Sequence, residues 1–550
     1  MPDWTNLRDW SNLRSSITMI DFLRQRQTRR DLLWITLIAL AVQAFWALRM
    51  SHPTYFDAFY YTTNAQRLAE GHGLTEEIIW QYLDQPAGLP ASSFTYWMPL
   101  PAFIAAIGYK INDSFRTAQL PFWLMAGFLP WMSYGIAWHL QKERWIARPA
   151  ALFTAAGGYY TAYWVQPTTF VLFAWVGGGC LLALAWAHEK KWPRYWLLAG
   201  LAAGLSHLTR ADGVLLVGAA GIVWLYEVKD SRFKNDGRIH FQSLILSLFL
   251  FGLGYLLVMA PWFWRTYQLI GQPMSAVGTQ TIFLTMYDDV FSYGRQFTLA
   301  SYLDWGWGNI LRSKLAALSL AAQTFVAVTG LTVFTLFFVW AWVRLGRAER
   351  TKRFIRPFTW YTIVLYGMII VVFTFPGQRG SLLHSSTALW PWSMALAAVG
   401  IDIAVDWIAA RRPAWRPGPA KRLFAGTFIV LVFVVSFAVS ARQPLQVAEA
   451  AVYRQVAEIV PAGTVVMTGD PPGLYYHTRL PAIATPNEPP EVMLQAARQF
   501  NVGYLLFDVD HPKPLDDLFD EKISLPELQK VRDFGDGFVL YQFVWEEVSP

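Results

Sequence analysis

The sequence predicts an α-helical polytopic membrane protein with about eleven crossings and a small extracytoplasmic α/β domain at its C-terminus. The chain is 54% hydrophobic and 16% aromatic, which is too apolar a composition for an ordinary soluble enzyme. Apolar runs of about 20 residues, long enough to span about 30 Å of hydrocarbon, recur along most of the chain. Trp and Tyr cluster at the ends of these runs, as interfacial anchors do. The bilayer is therefore predicted to be the main solvent of this chain.

The N-terminus is predicted to be a cytoplasmic amphipathic segment over residues 1–30. From Trp4 to Leu23, apolar residues recur every three or four positions, as they do on one face of a helix lying on a membrane. Four arginines between positions 24 and 30 precede the first predicted span, residues 31–49. The positive-inside rule places these arginines in the cytoplasm, so the residues after the span lie outside.

Residues 31–440 are predicted to form the membrane domain, with outer loops at residues 50–95 and 263–314. Two loops near its far end, residues 344–356 and 411–422, hold six and five basic residues. Because basic loops are typical of the cytoplasmic side, they fix the orientation independently of the N-terminus. Both ends of the domain then agree on which loops lie outside.

The number of apolar runs between residues 96 and 226 disagrees with the number of crossings that the loop assignments require. An even number of apolar runs occurs there, whereas the loop assignments require an odd number of crossings. Incomplete helices occur in membrane proteins where they line a cavity. Either the short run that begins at Tyr96 or the pair interrupted at residues 209–212 is therefore predicted not to cross fully.

Residues 441–550 are predicted to form a small extracytoplasmic α/β domain. They hold 16 Asp and Glu against 8 Lys and Arg, whereas the residues before them hold 37 basic against 22 acidic. The basic character thus belongs to the membrane part and not to a nucleic-acid face. Within the domain, short strand-like runs alternate with helical stretches. The predicted strands are 464–468, 502–509 and 538–544, and the predicted helices lie near 445–459 and 488–500.

The segment after the first predicted span carries the strongest candidate for catalysis, Asp57. It lies among aromatic residues, in the sequence from Tyr55 to Tyr61, at the depth of the membrane interface. A carboxylate held there is suited to act as a general base. The alternative interpretation is that Asp57 caps a helix beginning at Ala58, since Asp is a preferred N-cap. Tyr60, in the same segment, is a candidate for contact with a substrate.

Arg210 and Asp212 form a second candidate group, between two apolar runs. Charge is costly at membrane depth and usually faces a polar cavity or a partner. The planar guanidinium of Arg210 is suited to bind a phosphate. The alternative is that the two side chains form only a mutual ion pair in a tight turn.

Two further groups lie in predicted outer loops. Arg265, Asp288 and Asp289 belong to the long loop, and Arg379 and His384 belong to the short loop after residue 376. The alternative for each is a solvated loop charge. If Asp57, Arg210, Arg265 and Arg379 converge on one side, a phosphate-binding catalytic site is indicated.

Several common catalytic motifs are missing from the sequence. It contains no P-loop, no Gly-x-Gly-x-x-Gly opening a helix, no His-Glu-x-x-His zinc motif and no serine nucleophile elbow. Its single cysteine, Cys180, excludes a disulfide framework and a cysteine-based metal site.

Taken in order, these features resemble the GT-C class of polytopic glycosyltransferases, most of all the family 39 type of protein O-mannosyltransferases and aminoarabinose transferases. The resemblance covers nearly the whole chain. Many members carry Asp-Glu where this chain has Asp57-Ala58, so a second acidic group is missing here. The segments that carry the resemblance are Phe56-Asp57-Ala58-Phe59-Tyr60, residues 65–73, Met98-Pro99-Leu100-Pro101, Leu208-Thr209-Arg210-Ala211-Asp212-Gly213 and Pro261-Trp262-Phe263-Trp264-Arg265.

The resemblance implies transfer of a sugar from a polyprenyl-phosphate donor to a hydroxyl or amine on the outer side, with inversion. The acceptor is a glycan, lipid or protein, the membrane is implied to be a bacterial inner membrane, and a divalent cation is left open. No metal-binding residue and no nucleic-acid partner is assigned. The implied roles are Asp57 as base, Arg210, Arg265 and Arg379 as phosphate ligands, and His384, Tyr60, Asp288 and Asp289 as further substrate contacts.

Two other functions are weighed against this one. A transporter or flippase would use Arg210 and Asp212 to line a substrate pathway. A catalytically silent scaffold would act through the C-terminal domain. The long outer loops favour the glycosyltransferase over the transporter.

Overall fold

The structure is a computed structural model that describes residues 25–232, 237–412, 414–443 and 447–545. The predicted amphipathic helix from Trp4 to Leu23 lies outside these residues. The described chain is mainly helical, with one larger sheet near its C-terminus.

The membrane domain is a series of helices joined by turns and two long loops, which we call the first and second outer loop after their predicted side of the membrane. Its first half comprises α1 (Arg26–Arg49), α2 (Phe56–Glu70), α3 (Leu100–Ile111), α4 (Phe115–Phe128), α5 (Pro130–Gln141), α6 (Arg144–Ala156), α7 (Thr169–Lys190), α8 (Pro193–Thr209), α9 (Leu215–Arg232) and α10 (Gly237–Ile270). Its second half comprises α11 (Ala276–Gln280), α12 (Leu299–Asp304), α13 (Trp307–Thr324), α14 (Thr335–Arg347), α15 (Lys352–Val371), α16 (Thr374–Pro376), α17 (Leu382–Ser385), α18 (Trp390–Ala409) and α19 (Pro417–Ser440).

The predicted polytopic helical fold is confirmed. In the described part of the chain, seven helices are long and apolar enough to cross a bilayer, and α13 with α14 makes an eighth candidate despite a 93° bend. Of the two segments predicted to cross incompletely, α3 has 12 residues, a length of about 18 Å, and α8 is interrupted before α9. The total of about eleven crossings stays a prediction.

The helices differ sharply in how deeply they are buried. In the segment Thr374–Ala409, which includes α18, 94% of the most apolar stretch is buried in the protein. In α19 the corresponding value is 17%, so α18 is central and α19 faces the lipid. Helices α8 and α10 make an unusually close crossing. A Cβ on Gly200 would lie 2.1 Å from the carbonyl oxygen of Phe251, so only glycine permits this approach.

The outer loops are more structured and one is shorter than predicted. Helix α10 continues through Pro261 to Ile270, and α13 begins at Trp307, so the predicted loop 263–314 is reduced to residues 271–306. The loop 50–95 contains α2 and a two-stranded sheet of β1 (Thr75–Glu76) and β3 (Ala91–Ser92).

The C-terminal region forms the predicted α/β domain. Its sheet has the order β2-β5-β4-β6-β8-β7, in which β2, β5, β4 and β6 are parallel and β8 and β7 are antiparallel. The predicted strands and helices are present to within a few residues. The elements are β2 (Ile78–Ile79), α20 (Val447–Ile459), β4 (Val465–Thr468), α21 (Pro471–Thr478), β5 (Ala482–Ala484), α22 (Pro490–Gln499), β6 (Val502–Phe507), α23 (Asp516–Phe519), β7 (Leu528–Gly535) and β8 (Phe538–Phe543).

The first outer loop completes this sheet. Strand β2 of that loop pairs in parallel with β5, and the Ala482 N–H donates to the Glu77 carbonyl at 3.0 Å. The guanidinium of Arg67 in α2 donates to the hydroxyl of Tyr475 in α21 at 2.9 Å. The domain predicted for residues 441–550 is therefore extended by a strand from residues 50–95, and α2 is fastened to it.

Candidate functional site

Asp57 lies in the first turn of α2, at the start of the first outer loop. The helix begins at Phe56, and its N-cap, Tyr55, makes no side-chain capping bond. The interpretation of Asp57 as the cap of a helix starting at Ala58 is therefore wrong, and its carboxylate is free for other contacts. The positive end of the helix favours an anion at this position. Burial nevertheless raises the pKa of Asp57 to about 6, and the nearby charge of Arg210 opposes that rise.

His384 is held directly beside Asp57. Its Nε2 lies 3.6 Å from the Asp57 Oδ2, and its Nδ1 lies 2.5 Å from the Thr169 hydroxyl. The imidazole also stacks on Phe170, with ring centroids 3.8 Å apart. If the Thr169 hydroxyl donates to Nδ1, the proton of the neutral ring is on Nε2 and points toward Asp57. His384 is thus positioned to orient the carboxylate.

Arg210 occupies the break between α8 and α9. Its backbone is extended, and a short 3₁₀ turn over Ala211–Val214 follows it. This tight turn requires Gly213, because a Cβ there would lie 2.3 Å from the Ser206 carbonyl oxygen. The helix break therefore allows Arg210 to be placed inside the helical bundle.

Arg210 and Asp212 form the ion pair proposed as the alternative. The Arg210 Nε and Nη2 donate to the two Asp212 oxygens at 3.0 and 3.3 Å. Ser381 and Ser385 also donate to Asp212 Oδ2, at 2.7 and 2.5 Å, and Arg210 Nη2 donates to Ser381 at 3.0 Å. The pair is therefore neither isolated nor solvated. It joins the helix break to the segment that carries Arg379 and His384.

Arg379 faces the second outer loop. Its guanidinium carbon lies 5.4 Å from the ring centre of Tyr287, a cation–π contact. Burial raises the pKa of the neighbouring Asp288, and Arg379 opposes that rise. Asp57 and Arg379 both act electrostatically on Tyr287, so both lie near this tyrosine.

A second tyrosine, Tyr96, lies near the same charges. Burial raises the pKa of Tyr96 to about 12, and the charges of Arg210, Asp212 and Asp57 all act on its hydroxyl. Of the four residues whose convergence would indicate a site, Asp57 and Arg210 lie near each other and Arg379 lies near Tyr287, whereas Arg265 lies elsewhere. We call Asp57, Arg210, Arg379, His384 and Tyr96 the Asp57 site.

Arg265 and Tyr60 lie toward a different neighbour, Glu76. Arg265 donates to the Ser93 carbonyl at 2.8 Å, and its guanidinium lies 4.6 Å from the Trp262 ring centre. The Glu76 carboxyl interacts with the Tyr60 hydroxyl and with the charge of Arg265. The Tyr60 hydroxyl accepts from the Phe94 N–H at 3.1 Å.

Asp289 binds its own loop. Its Oδ2 accepts hydrogen bonds from the Thr285 N–H and hydroxyl and from the Met286 N–H, and its Oδ1 lies 3.0 Å from Arg295 Nη2. Arg295 also pairs with Glu488 of the C-terminal domain at 3.3 Å. Asp289 thus holds the second outer loop in shape, while Asp288 faces Arg379.

The sequence assigns no metal-binding residue, and the arrangement of the titratable side chains bears on that point. Within the described residues, no group of three or more His, Cys, Asp or Glu side chains is arranged to hold a metal ion. The divalent cation left open by the sequence stays a prediction.

Sequence reasoning missed several residues of this region. Thr169, Ser381 and Ser385 are small hydroxyl residues that carry no motif, yet they position His384 and Asp212. Glu76 also carries no motif, yet it is 92% buried.

Comparison with known proteins agrees with this architecture. Residues 97–264 match the family model described as dolichyl-phosphate-mannose-protein mannosyltransferase. No curated protein matches the chain in sequence.

Two solved structures share the fold. The archaeal oligosaccharyltransferase AglB from Archaeoglobus fulgidus, in complex with an inhibitory peptide and a dolichol-phosphate, is 12% identical, with a TM-score of 0.55 over 88% of this chain and 70% of that chain. ArnT from Cupriavidus metallidurans, bound to undecaprenyl phosphate, is 13% identical, with a TM-score of 0.55 over 94% of this chain and 99% of that chain. The predicted resemblance to GT-C membrane glycosyltransferases is confirmed, and neither comparison supports a transporter.

Proposed function

We propose that this chain transfers a sugar from a polyprenyl-phosphate donor to an acceptor hydroxyl or amine, with Asp57 as the general base. One observation carries the proposal: the carboxylate of Asp57 lies near Arg210 at the start of α2, and Arg379 packs on Tyr287, on which the charge of Asp57 also acts. The two solved structures of the same fold contain dolichol-phosphate and undecaprenyl phosphate, which supports a donor of this class.

The arginines match the charge that develops in this reaction. The acceptor oxygen or nitrogen forms a bond to the anomeric carbon, and the bond from that carbon to the phosphate oxygen breaks. The released polyprenyl phosphate gains one negative charge, so it departs without a proton from a general acid. Positive groups placed where this charge develops lower the barrier. Arg210 and Arg379 supply such groups.

Asp57 takes the proton that the acceptor loses. A positioned general base typically contributes about 10²- to 10⁴-fold in rate, and it works best when its pKa lies near the operating pH. A pKa of about 6 leaves Asp57 mostly ionised at neutral pH and more basic than an exposed aspartate. His384 Nε2 lies 3.6 Å from this carboxylate, farther than a hydrogen bond, so His384 is a neighbour of the base and a candidate to orient it.

The contacts of Asp212 favour inversion. A retaining enzyme needs a carboxylate that is free to attack the anomeric carbon. Asp212, the neighbouring carboxylate, is instead engaged by Arg210 and two serines. A single displacement assisted by Asp57 therefore accounts for the groups present.

The proposal includes a location. The basic loops 344–356 and 411–422 support a cytoplasmic side opposite to the first outer loop, so Asp57 and the C-terminal domain face outward. A bacterial inner membrane with a glycan, lipid or protein acceptor outside it fits this orientation.

Transfer of radiolabelled sugar by the purified protein tests the proposal. A panel of polyprenyl-phosphate sugars is offered to the wild type, to Asp57→Asn and to a matched control, Asp304→Asn, which changes an exposed carboxylate of the second outer loop. We expect transfer by the wild type and the control and a loss of about 10²- to 10⁴-fold in Asp57→Asn. Undiminished transfer by Asp57→Asn would remove the base assignment.

A further inference from the structure

A cavity lies beside the Asp57 site, farther along α2. Its volume is about 530 Å³, within the range of about 300–1,000 Å³ that is typical of small-molecule sites. Its lining comes from the loop between β2 and β3, from α2 and from the outer end of α10. The cavity is therefore built by the same outer loop that carries Asp57.

Two features connect the cavity to the reaction. Tyr60, which lines it, follows Asp57 by three residues on α2, so the two lie on one face of that helix. Tyr96 belongs to the Asp57 site, and the next residue, Trp97, lines the cavity. The cavity is thus about one helical turn from the proposed base.

The cavity wall combines aromatic and hydrogen-bonding groups. The rings of Trp80 and Trp97 stack with centroids 4.3 Å apart, and Tyr60 packs against Trp97 at 5.0 Å. Glu76 accepts a hydrogen bond from Asn64 at 3.3 Å, and Glu76 is 92% buried. Flat aromatic surface beside buried polar groups suits a sugar, which has apolar ring faces and hydroxyls at its edge.

Asp84 is the other carboxyl in this wall. Thr95 and Gln81 hydrogen-bond it, while burial raises its pKa. A carboxylate has two oxygens and about four acceptor positions, so these two partners leave acceptor capacity. A hydroxyl or ammonium group placed in the cavity would be a further donor to Asp84.

The cavity differs in charge from the Asp57 site. Its titratable lining residues are Glu76 and Asp84; burial, with the negative charge of Asp84, raises the pKa of Glu76 to about 8, so Glu76 is mostly protonated at neutral pH. The carboxylate of Asp84 therefore disfavours a phosphate here, whereas Arg210 and Arg379 attract one at the Asp57 site. The donor phosphate and the ligand of this cavity are therefore separated by charge.

We propose that the cavity binds the acceptor of the transfer reaction, and that the bound group is an uncharged or amine-bearing sugar unit. This inference rests on the proposed function, since it assigns the second substrate of the same site. Tyr60, Trp80 and Trp97 pack against the sugar ring, and Glu76 and Asp84 hydrogen-bond its hydroxyl or amino groups.

Binding of matched sugar pairs to the full-length protein in nanodiscs tests the inference. The probes are glucosamine with glucosamine 6-phosphate and mannose with mannose 6-phosphate, and binding is followed by saturation-transfer NMR. We expect at least one unphosphorylated sugar to bind about tenfold more tightly than its phosphate. Asp84→Asn should weaken that binding by about tenfold, as expected for one hydrogen bond to a charged group, and Asp304→Asn should not. Trp97→Phe, which retains a ring, should weaken it less.

Undecaprenyl phosphate binding, measured on the same samples, separates the two proposals. We expect Arg210→Ala to weaken undecaprenyl phosphate binding and to leave sugar binding unchanged. Equal affinity for a sugar and its phosphate, an Asp84→Asn variant with wild-type affinity, or no sugar binding at all would overturn the cavity assignment. If undecaprenyl phosphate still binds in those cases, the glycosyltransferase proposal stands; if it does not bind either, both fall.

Discussion

The Asp57 site and the cavity beside it differ in charge although both lie along α2. Asp57 lies near Arg210, and Arg379 packs on Tyr287, whereas the titratable lining residues of the cavity are the carboxyls of Glu76 and Asp84. A glycosyltransferase that uses a phosphate-linked donor must keep two polar substrates apart until they react. In the proposed function, the arginines attract the phosphate, and the charge of Asp84 disfavours a phosphate in the cavity.

Removing Arg210 is the strongest test of this division. Arg210→Ala should lower transfer by about 10²- to 10³-fold, the usual cost of losing one group that stabilises a developing charge. It should also lower the free energy of unfolding by about 3–5 kcal/mol, because Asp212 is left buried without its cation. Label transfer and thermal unfolding of the purified variant measure the two effects.

A double variant separates catalysis from stability. In Arg210→Ala/Asp212→Ala, no buried charge is left unpaired, so we expect most of the stability to return and transfer to remain low. If transfer returned together with stability, Arg210 would be a structural residue. Arg379 would then be the remaining arginine proposed to bind the donor phosphate.

Arg379 in the Asp57 site and Arg265 beside Glu76 provide a matched pair of arginine substitutions. Arg379→Ala should lower kcat/KM for the donor by about 10- to 100-fold, the cost of a hydrogen bond to a charged group. Arg265→Ala should change donor kinetics by less, because Arg265 donates to Ser93 and stacks on Trp262 beside Glu76. Its effect should appear in the KM for the acceptor. The reverse pattern would place the donor phosphate on the Glu76 side.

The pH profile of transfer should show an acid limb caused by Asp57 and an alkaline limb caused by Glu76 in the cavity. Asp57 acts as a base only when deprotonated, so with a pKa of about 6 the kcat/KM should fall about tenfold per pH unit below pH 6. Glu76, with a pKa of about 8, keeps its proton at neutral pH and loses it above pH 8, which should weaken acceptor binding there. In Glu76→Gln the upper limb should vanish and the lower limb remain. Loss of the lower limb instead would contradict the assignment of the base.

Much of the membrane domain could be predicted because its signal is local. Apolar runs, basic loops and strand-like alternation each depend on neighbouring residues, so the helices and the strands β4, β6 and β8 were found to within a few residues. Asp57, Arg210 and Arg379 were found because charge near apolar runs is costly and needs a reason. Their convergence was only a hypothesis, since residues 57, 210 and 379 are far apart in sequence and no local pattern joins them.

The features that escaped prediction are non-local or depend on burial. Strand β2 has two residues, too few for a periodic signal, and it is defined by pairing with a strand some 400 residues later. A pair of adjacent glutamates is usually solvated, and Glu76 is buried only because that pairing draws the loop against the C-terminal domain. The same pairing shapes the cavity, so the cavity could not be predicted from the sequence.

The smallest expected effect concerns the fastening of α2 to the C-terminal domain. Tyr475→Phe removes the hydroxyl that accepts from Arg67, whose guanidinium keeps its bond to the Thr75 carbonyl and its ion pair with Glu77. Because these contacts remain, we expect the free energy of unfolding to fall by only about 1 kcal/mol.

In this variant, transfer should change less than twofold, and Tyr504→Phe in β6 serves as the control for loss of a tyrosine hydroxyl in the same domain. Thermal unfolding and label transfer are measured on the same preparations. A loss of transfer that far exceeds the loss of stability would contradict a purely fastening role. It would mean that the C-terminal domain sets the position of α2 for catalysis, so that the separation of the Asp57 site from the cavity depends on this domain.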